Sequence, residues 1–340
     1  MTAGVTMDSF CEQDTGMEAL RSSLPLQLPD NGKKPGEVLM TLCLNLTLFF
    51  ENAFEADTRQ AILDMLSDYQ RMMGDRIHFT TNPQTGNWKD LRKKPYMTPH
   101  DWLPRLPDEQ WEFIYHGGAQ HRDASDIRFD ILAEDSSWHE GAGVSWLTIN
   151  FPLTFFADWP ESFQDLALRW IGRLQPRHGY AAIATTHNHF DDYRHEPLEF
   201  QLAQRYPGLD ISNHIRNGRY LTRDTIKGIN WQTILHDELL EQVGGLAALQ
   251  RIPGLTAWQA GDIWLIQASE RPALATIPDS YYALGALLEP IRDKNVYTVH
   301  HLEKPGEVFY TGYDYEAWLA RFDRRPPPAS DSEETPETDS

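Results

Sequence analysis

Residues 38–50 read VLMTLCLNLTLFF, and the parity of that run constrains the architecture more than any other stretch. Met40, Leu42, Leu44, Leu46 and Leu48 share one parity, while Thr41, Asn45 and Thr47 share the other. Successive side chains of an extended chain point to opposite faces. The spacing therefore predicts a half-buried strand, one face on a core and one toward water. The period then changes. In ADTRQAILDMLSDYQRMMG, Ile62, Met65, Leu66, Tyr69 and Met73 recur at helical spacing. Asp57 or Thr58 can cap that helix, and Gly74 can take the left-handed position that ends it.

Both periods recur along the chain. Strands are expected at 110–116, 126–133 and 144–151; in the second, Ile127, Phe129, Ile131 and Ala133 alternate with Asp126, Arg128 and Asp130. Residues 160–174 carry a helical stripe of Phe163, Leu166, Ala167, Trp170, Ile171 and Leu174, with Pro160 near its start. GYAAIATT reads as a short apolar strand, and a helix over 194–206 stops at YPG. NWQTILHDELLEQVGG reads as one helix ending at Gly244 and Gly245, GDIWLIQAS as strand and DSYYALGALLEPI as helix. Strands and helices mix without strict alternation. The fold class is α+β, an antiparallel or mixed β-sheet packed with several α-helices. Residues 1–36 lack any period and read as a flexible lead-in. Residues 323–340, closing on the Pro-rich acidic PPPASDSEETPETDS, read as a disordered tail. The folded body is expected over 37–322.

Charge narrows the choice of partner. The chain carries 50 acidic and 30 basic residues, a net −20. Residues 1–36 contribute −2 and residues 329–340 contribute −5, which leaves −13 on 37–328. Such a body repels nucleic acid and anionic lipid and speeds encounter with a basic protein. The run KDLRKK at 89–94 is the only basic one, and it reads as a solvated loop. Cys11 and Cys43 are the only cysteines, so a disulfide framework is not expected. The start MTAGVTMDSF has no basic segment followed by an apolar core, and no stretch nears the ~20 apolar residues of a membrane span. A cytoplasmic protein is expected.

The densest cluster of chemistry-bearing residues is HNHFDDYRH at 187–195. His187 and His189 fall on one face of an extended chain, and with His195 they could serve a metal-dependent hydrolase. HExxH is absent, however, and no Cys or Glu follows at a known ligand spacing. A polar loop at a strand end is the simpler account, and no metal or other cofactor is expected. In GAGVSWL, Ser145 follows Gly143 as in a nucleophile elbow, but position 147 is Leu and the alternation continues through the serine. HGG at 116–118 is a turn, and no phosphate-binding glycine motif occurs.

Five segments together, HGYAAIAT at 178–185, RYPGLDI at 205–211, IKGINWQTIL at 226–235, LLEQVGG at 239–245 and ALLEPIR at 286–292, resemble the TsiV-like immunity proteins of type VI secretion. The resemblance covers about 40–310, and IKGINWQTIL is its most specific piece. It implies a protein without catalytic residues that binds and neutralises a cognate antibacterial effector, in several cases nuclease-like. An acidic inhibitor could cover the basic surface such an effector offers to nucleic acid. Within the motifs, Gly208 is expected to serve a turn of unusual φ, Gly228 to open a helix and Trp231 to pack inward. Contacts to the effector are expected on the polar loop, at Asp191, Asp192 and Glu196, with Tyr193 as an aromatic anchor. An adaptor or chaperone for a secreted effector is the remaining alternative.

Overall fold

The computed structural model describes residues 15–27, 36–134, 143–155, 163–188, 195–211, 220–294 and 312–326. Twelve strands form one sheet: β1 (Leu26–Gln27), β2 (Val38–Phe50), β3 (Phe79–Thr81), β4 (Trp88–Asp90), β5 (Trp111–His116), β6 (Arg128–Ala133), β7 (Ser145–Phe151), β8 (His178–His187), β9 (Asp210–Ile211), β10 (Gln232–His236), β11 (Thr256–Ala260) and β12 (Ile263–Gln267). The helices are α1 (Thr15–Ser22), α2 (Ala56–Met73), α3 (Pro99–Trp102), α4 (Phe163–Leu174), α5 (Glu196–Arg205), α6 (Asp237–Gln242), α7 (Gly245–Leu249), α8 (Asp279–Leu288) and α9 (Gly312–Leu319). Strand order is β11-β12-β10-β8-β2-β7-β6-β5-β3-β4, with β1 beside β2 and β9 beside β8. Only β9, parallel to β8, breaks the antiparallel pairing of the named strands.

The long central strand β2 is buried on both faces, not one. Its even parity, Leu44 to Phe50, joins the main core with α2 and α4, where Trp170 and Tyr69 are fully buried. All six residues of the predicted α4 stripe are buried. Trp170 Nε1 donates to Asp68 of α2 at 3.1 Å and locks the two helices together. The opposite face lies under α8 at the β10–β12 end, through Tyr281, Leu284 and Leu288, and under Ala203 of α5 and Trp318 of α9 nearer the middle. Polar residues of the second parity are therefore sealed in and bond one another. Asn45 Nδ2 reaches Asn150 Oδ1 at 2.8 Å, Thr47 Oγ1 donates to Asn45 at 2.9 Å, and Asn150 Nδ2 donates to Thr186 at 2.9 Å. A network of this kind satisfies its own members' buried hydrogen-bonding groups. Arg128 and Asp130 of β6 meet the same need as an ion pair, 2.9 Å apart and nearly inaccessible.

Several expectations change here. NWQTILHDELLEQVGG is not one helix: Gln232–His236 is strand β10, inserted between β8 and β12, and α6 begins only at Asp237. Gly228 does not open a helix, since its φ of 147° lies in a connection leading into β10. Trp231 is 5% exposed and stacks on Phe163 as expected. The helix after β2 is preceded by Glu55, and no side chain caps it. Gly74 does supply a positive φ, 56°, at its end, but with ψ −128° it does not take the expected left-handed helical position. KDLRKK begins in strand β4 and is not wholly loop. Within the expected lead-in, residues 15–27 form α1 and β1, because Met17 and Leu20 sit one turn apart and bury together against Leu42 and Ile183. Phe322 is buried, and Asp323 and Arg325 pair with Arg292 and Asp279, so the first residues past 322 are tied down. Residues 1–14 and 327–340, with Cys11 and Pro160, lie outside the described residues.

Candidate functional site

HGYAAIAT, RYPGLDI and IKGINWQTIL are distant in sequence and meet at one buried ion pair. Lys227 Nζ lies 2.9 Å from both Asp210 carboxylate oxygens and 2.7 Å from the Ile211 carbonyl. Three ammonium protons thus find three acceptors. The side chains are 2% and 1% exposed, and Nζ also sits over the rings of Tyr180 at 4.7 Å and Trp318 at 5.4 Å. Burial pushes the Lys227 amine down from its ordinary pKa, and Asp210 opposes that shift. Beside it, Thr185 donates to Glu199, whose carboxyl burial pushes up while His195 pulls it down. ALLEPIR closes the hub: Ile226 N donates to Ile291 O and Asp293 N to Ile226 O, both at 2.9 Å. The motif residues at this hub are consumed by internal contacts.

HNHFDDYRH lies at the end of β8. His187 closes the strand, and its carbonyl accepts from Arg128 at 3.2 Å. Asn188 donates from its backbone to Leu39 O at 3.0 Å and from Nδ2 to Glu37 at 2.9 Å. His195, just ahead of α5, stacks on His187 with ring centroids 4.7 Å apart and sits 3.8 Å from Glu199. The two ends of the loop are thus drawn together. His189, Asp191, Asp192 and Tyr193 lie outside the described residues. Glu196 is 7% exposed at the start of α5 and offers a partner almost no surface. Among the described residues no three His, Cys, Asp or Glu side chains converge on a metal position. Ser145 is structural, its Oγ accepting from Glu134 N at 3.1 Å.

The opposite end of the sheet carries a feature that the sequence did not announce. A cleft of about 300 Å³ opens there, lined by Glu51, Asn52, Asp57, Arg173, Gln175 and Arg177 among others. Arg177 is its organiser: only 7% exposed, it bonds Glu238 at 2.6 Å and sits 3.6 Å from Glu51 and 3.7 Å from Asp224. Arg223 reaches Glu51 at 3.2 Å. The Arg177 guanidinium holds the Glu238 carboxyl below its usual range. Of the charged side chains that line the cleft, Glu51 and Asp57 stand with Arg173 and Arg177, so the lining is mixed in charge. Asn52 (φ 58°) and Gln175 (φ 50°) are the only non-glycine residues with positive φ among those described, and both line this cleft. Such conformations concentrate where surrounding structure holds a surface in shape. Arg177 follows a Gln-Pro pair, and no local sequence pattern marks it as part of a site.

His178, next to Arg177, gives the fold an acid limit. Its ring stacks on Phe49 at 4.7 Å, and Nε2 donates to Thr222 O at 3.2 Å. Burial, with a smaller push from Arg177, lowers its pKa to about 3. A depressed folded pKa contributes stability above the unfolded value and loses it as pH falls below ~6.5 toward 3. Between pH 7.5 and 5.0 the wild-type chain should therefore lose about 2 kcal/mol more unfolding free energy than His178→Phe, by urea denaturation at the two pH values. Equal losses would count against this assignment.

The motif residues are spent on internal contacts, and a charged cleft stands at one end of the sheet. The family described as type VI immunity for VRR-NUC matches residues 61–322, more than half of the 340-residue chain, and the chain belongs to that family. It is an immunity protein of type VI secretion. A solved structure, the Pseudomonas aeruginosa T6SS protein PA0821, shares the fold with a TM-score of 0.77 and 25% identity over 91% of each chain. No curated protein matches. Among the described residues no helix is long and apolar enough to cross a membrane.

Proposed function

We propose that this chain binds a VRR-NUC effector in a stoichiometric complex in the cytoplasm and neutralises it by covering the basic surface that takes up nucleic acid. The family match over 61–322 carries this reading. The net charge of −20 supports its electrostatic side, because a nuclease must present cations to phosphates. An acidic inhibitor competes for the same cations without chemistry of its own. The test is coexpression in a sensitive bacterium of the neighbouring VRR-NUC effector domain with and without this chain, followed by survivor counts and copurification. Rescue with a 1:1 complex is expected. Continued killing in the presence of abundant folded protein would overturn the reading. Association should also slow at least about tenfold between low salt and 0.5 M salt, since steering acts over a Debye length of only ~10 Å at 0.1 M.

A further inference from the structure

The two open edges of the sheet are built differently. β4 is three residues long, carries Lys89 and Asp90, and runs into Arg92, Lys93 and Lys94. Short, charged edges resist pairing with another strand. β11 lacks those protections: Thr256, Ala257, Trp258, Gln259 and Ala260 are uncharged, and they pair with β12 in unbroken register from Thr256↔Gln267 to Ala260↔Ile263. Asp237 N donates to Asp262 O at 2.8 Å and Ala268 N to Trp231 O at 2.9 Å, so even-numbered residues at this strand bond toward β10. By alternation Ile263, Leu265 and Gln267 bond toward β11, at Ala260, Trp258 and Thr256. The main-chain N–H and C=O groups of Ala257 and Gln259 therefore face outward, and among the described residues no strand lies beyond them.

This edge ends beside the cleft at the start of β8. Gln175 Nε2 donates to the Ala260 carbonyl at 3.1 Å, and Gln175 also lines the cleft. Glu51, just past the end of β2, is four strand spacings from β11, about 19 Å, which about six extended residues can span. We infer that β11 is a strand-pairing edge for the effector. An extended effector segment adds to the sheet through the main chain of Ala257 and Gln259 and places a lysine or arginine at the exposed Asp57 of the cleft. This rests on the proposed neutralisation of an effector. Charge selects that occupant over a second copy, because pairing two chains of net −20 opposes like fields, whereas a basic segment is drawn in.

The test uses the full chain and the VRR-NUC domain of the neighbouring effector. Gln259→Pro removes an outward N–H while sparing the β11–β12 ladder, a placement that edge strands tolerate. It should weaken binding at least about tenfold with an unchanged melting temperature. Asp57→Lys, at an exposed cleft position, should lower affinity by about tenfold, chiefly through a slower on-rate. In the wild-type complex, with no substitution at all, the Ala257 and Gln259 amides should exchange at least about tenfold more slowly than in the free chain. Unchanged affinity of Gln259→Pro, or unprotected amides in a formed complex, would overturn strand addition and leave neutralisation standing. A dimer of this chain that Gln259→Pro dissolves would assign the edge to a second copy and overturn it equally. Failure of the wild-type chain to bind the effector domain would overturn the functional reading and this inference together.

Discussion

Lys227→Met is expected to remove about 3–5 kcal/mol of unfolding free energy, because it leaves the Asp210 carboxylate buried without its cation. Methionine keeps the length of the lysine stem, so the loss reads charge and hydrogen bonds rather than a void. Asp210→Leu should cost a similar amount by stranding an ammonium that is 2% exposed. Replacing both, with Lys227→Met and Asp210→Leu, should recover much of the loss, since an apolar pair of similar volume avoids the desolvation that the ions suffer. Urea denaturation of the two single variants and the double variant measures the coupling directly. Near-additive losses, or a Lys227→Met cost below about 1 kcal/mol, would show that Tyr180, Trp318 and the Ile211 carbonyl hold this region without the ion pair.

How legible the fold was depended on whether a segment has one buried face or two. The α4 stripe was read correctly residue by residue, because that helix presents one face to the core and the 3.6-residue period survives. β6 was placed within two residues of its start, yet its supposed water-facing residues Arg128 and Asp130 are sealed in, since a second layer covers the sheet. β10 was lost altogether: with Gln232, Thr233, Ile234 and Leu235 all buried between two neighbours, no alternation remains to separate strand from helix. β11 was missed for the opposite reason, being half exposed and short of aliphatic residues, although Gly261-Asp262 is a two-residue hairpin signal. The motif hub was legible as a set of segments but not as a place. Nothing local tells Asp210 that its partner lies at Lys227. The cleft was invisible because its organiser, Arg177, works through residues 47 to 126 positions away.

Gly208→Ala should be the costlier of two superficially similar glycine substitutions. The PGLD turn does not use its glycine for an unusual φ; Gly208 is absent from the positive-φ residues. Its role is close approach. A Cβ there would lie 1.8 Å from the Ala273 carbonyl oxygen, while Gly208 N donates to Leu274 O at 2.9 Å. One methyl group must push two backbones apart and break that bond, an overpacking cost of about 3 kcal/mol or more. Gly74→Ala is the contrast: nothing lies within 4 Å of the new Cβ, so only the backbone strain of φ 56° and ψ −128°, about 1–3 kcal/mol, applies. Denaturation midpoints of the two variants separate the causes, and equal costs would reject the steric account. Because Asp210 follows Gly208 by two residues, displacing the turn also loosens the Lys227 pair. Gly208→Ala combined with Lys227→Met should therefore cost less than the two losses added, whereas Gly74→Ala with Lys227→Met should add within about 0.5 kcal/mol.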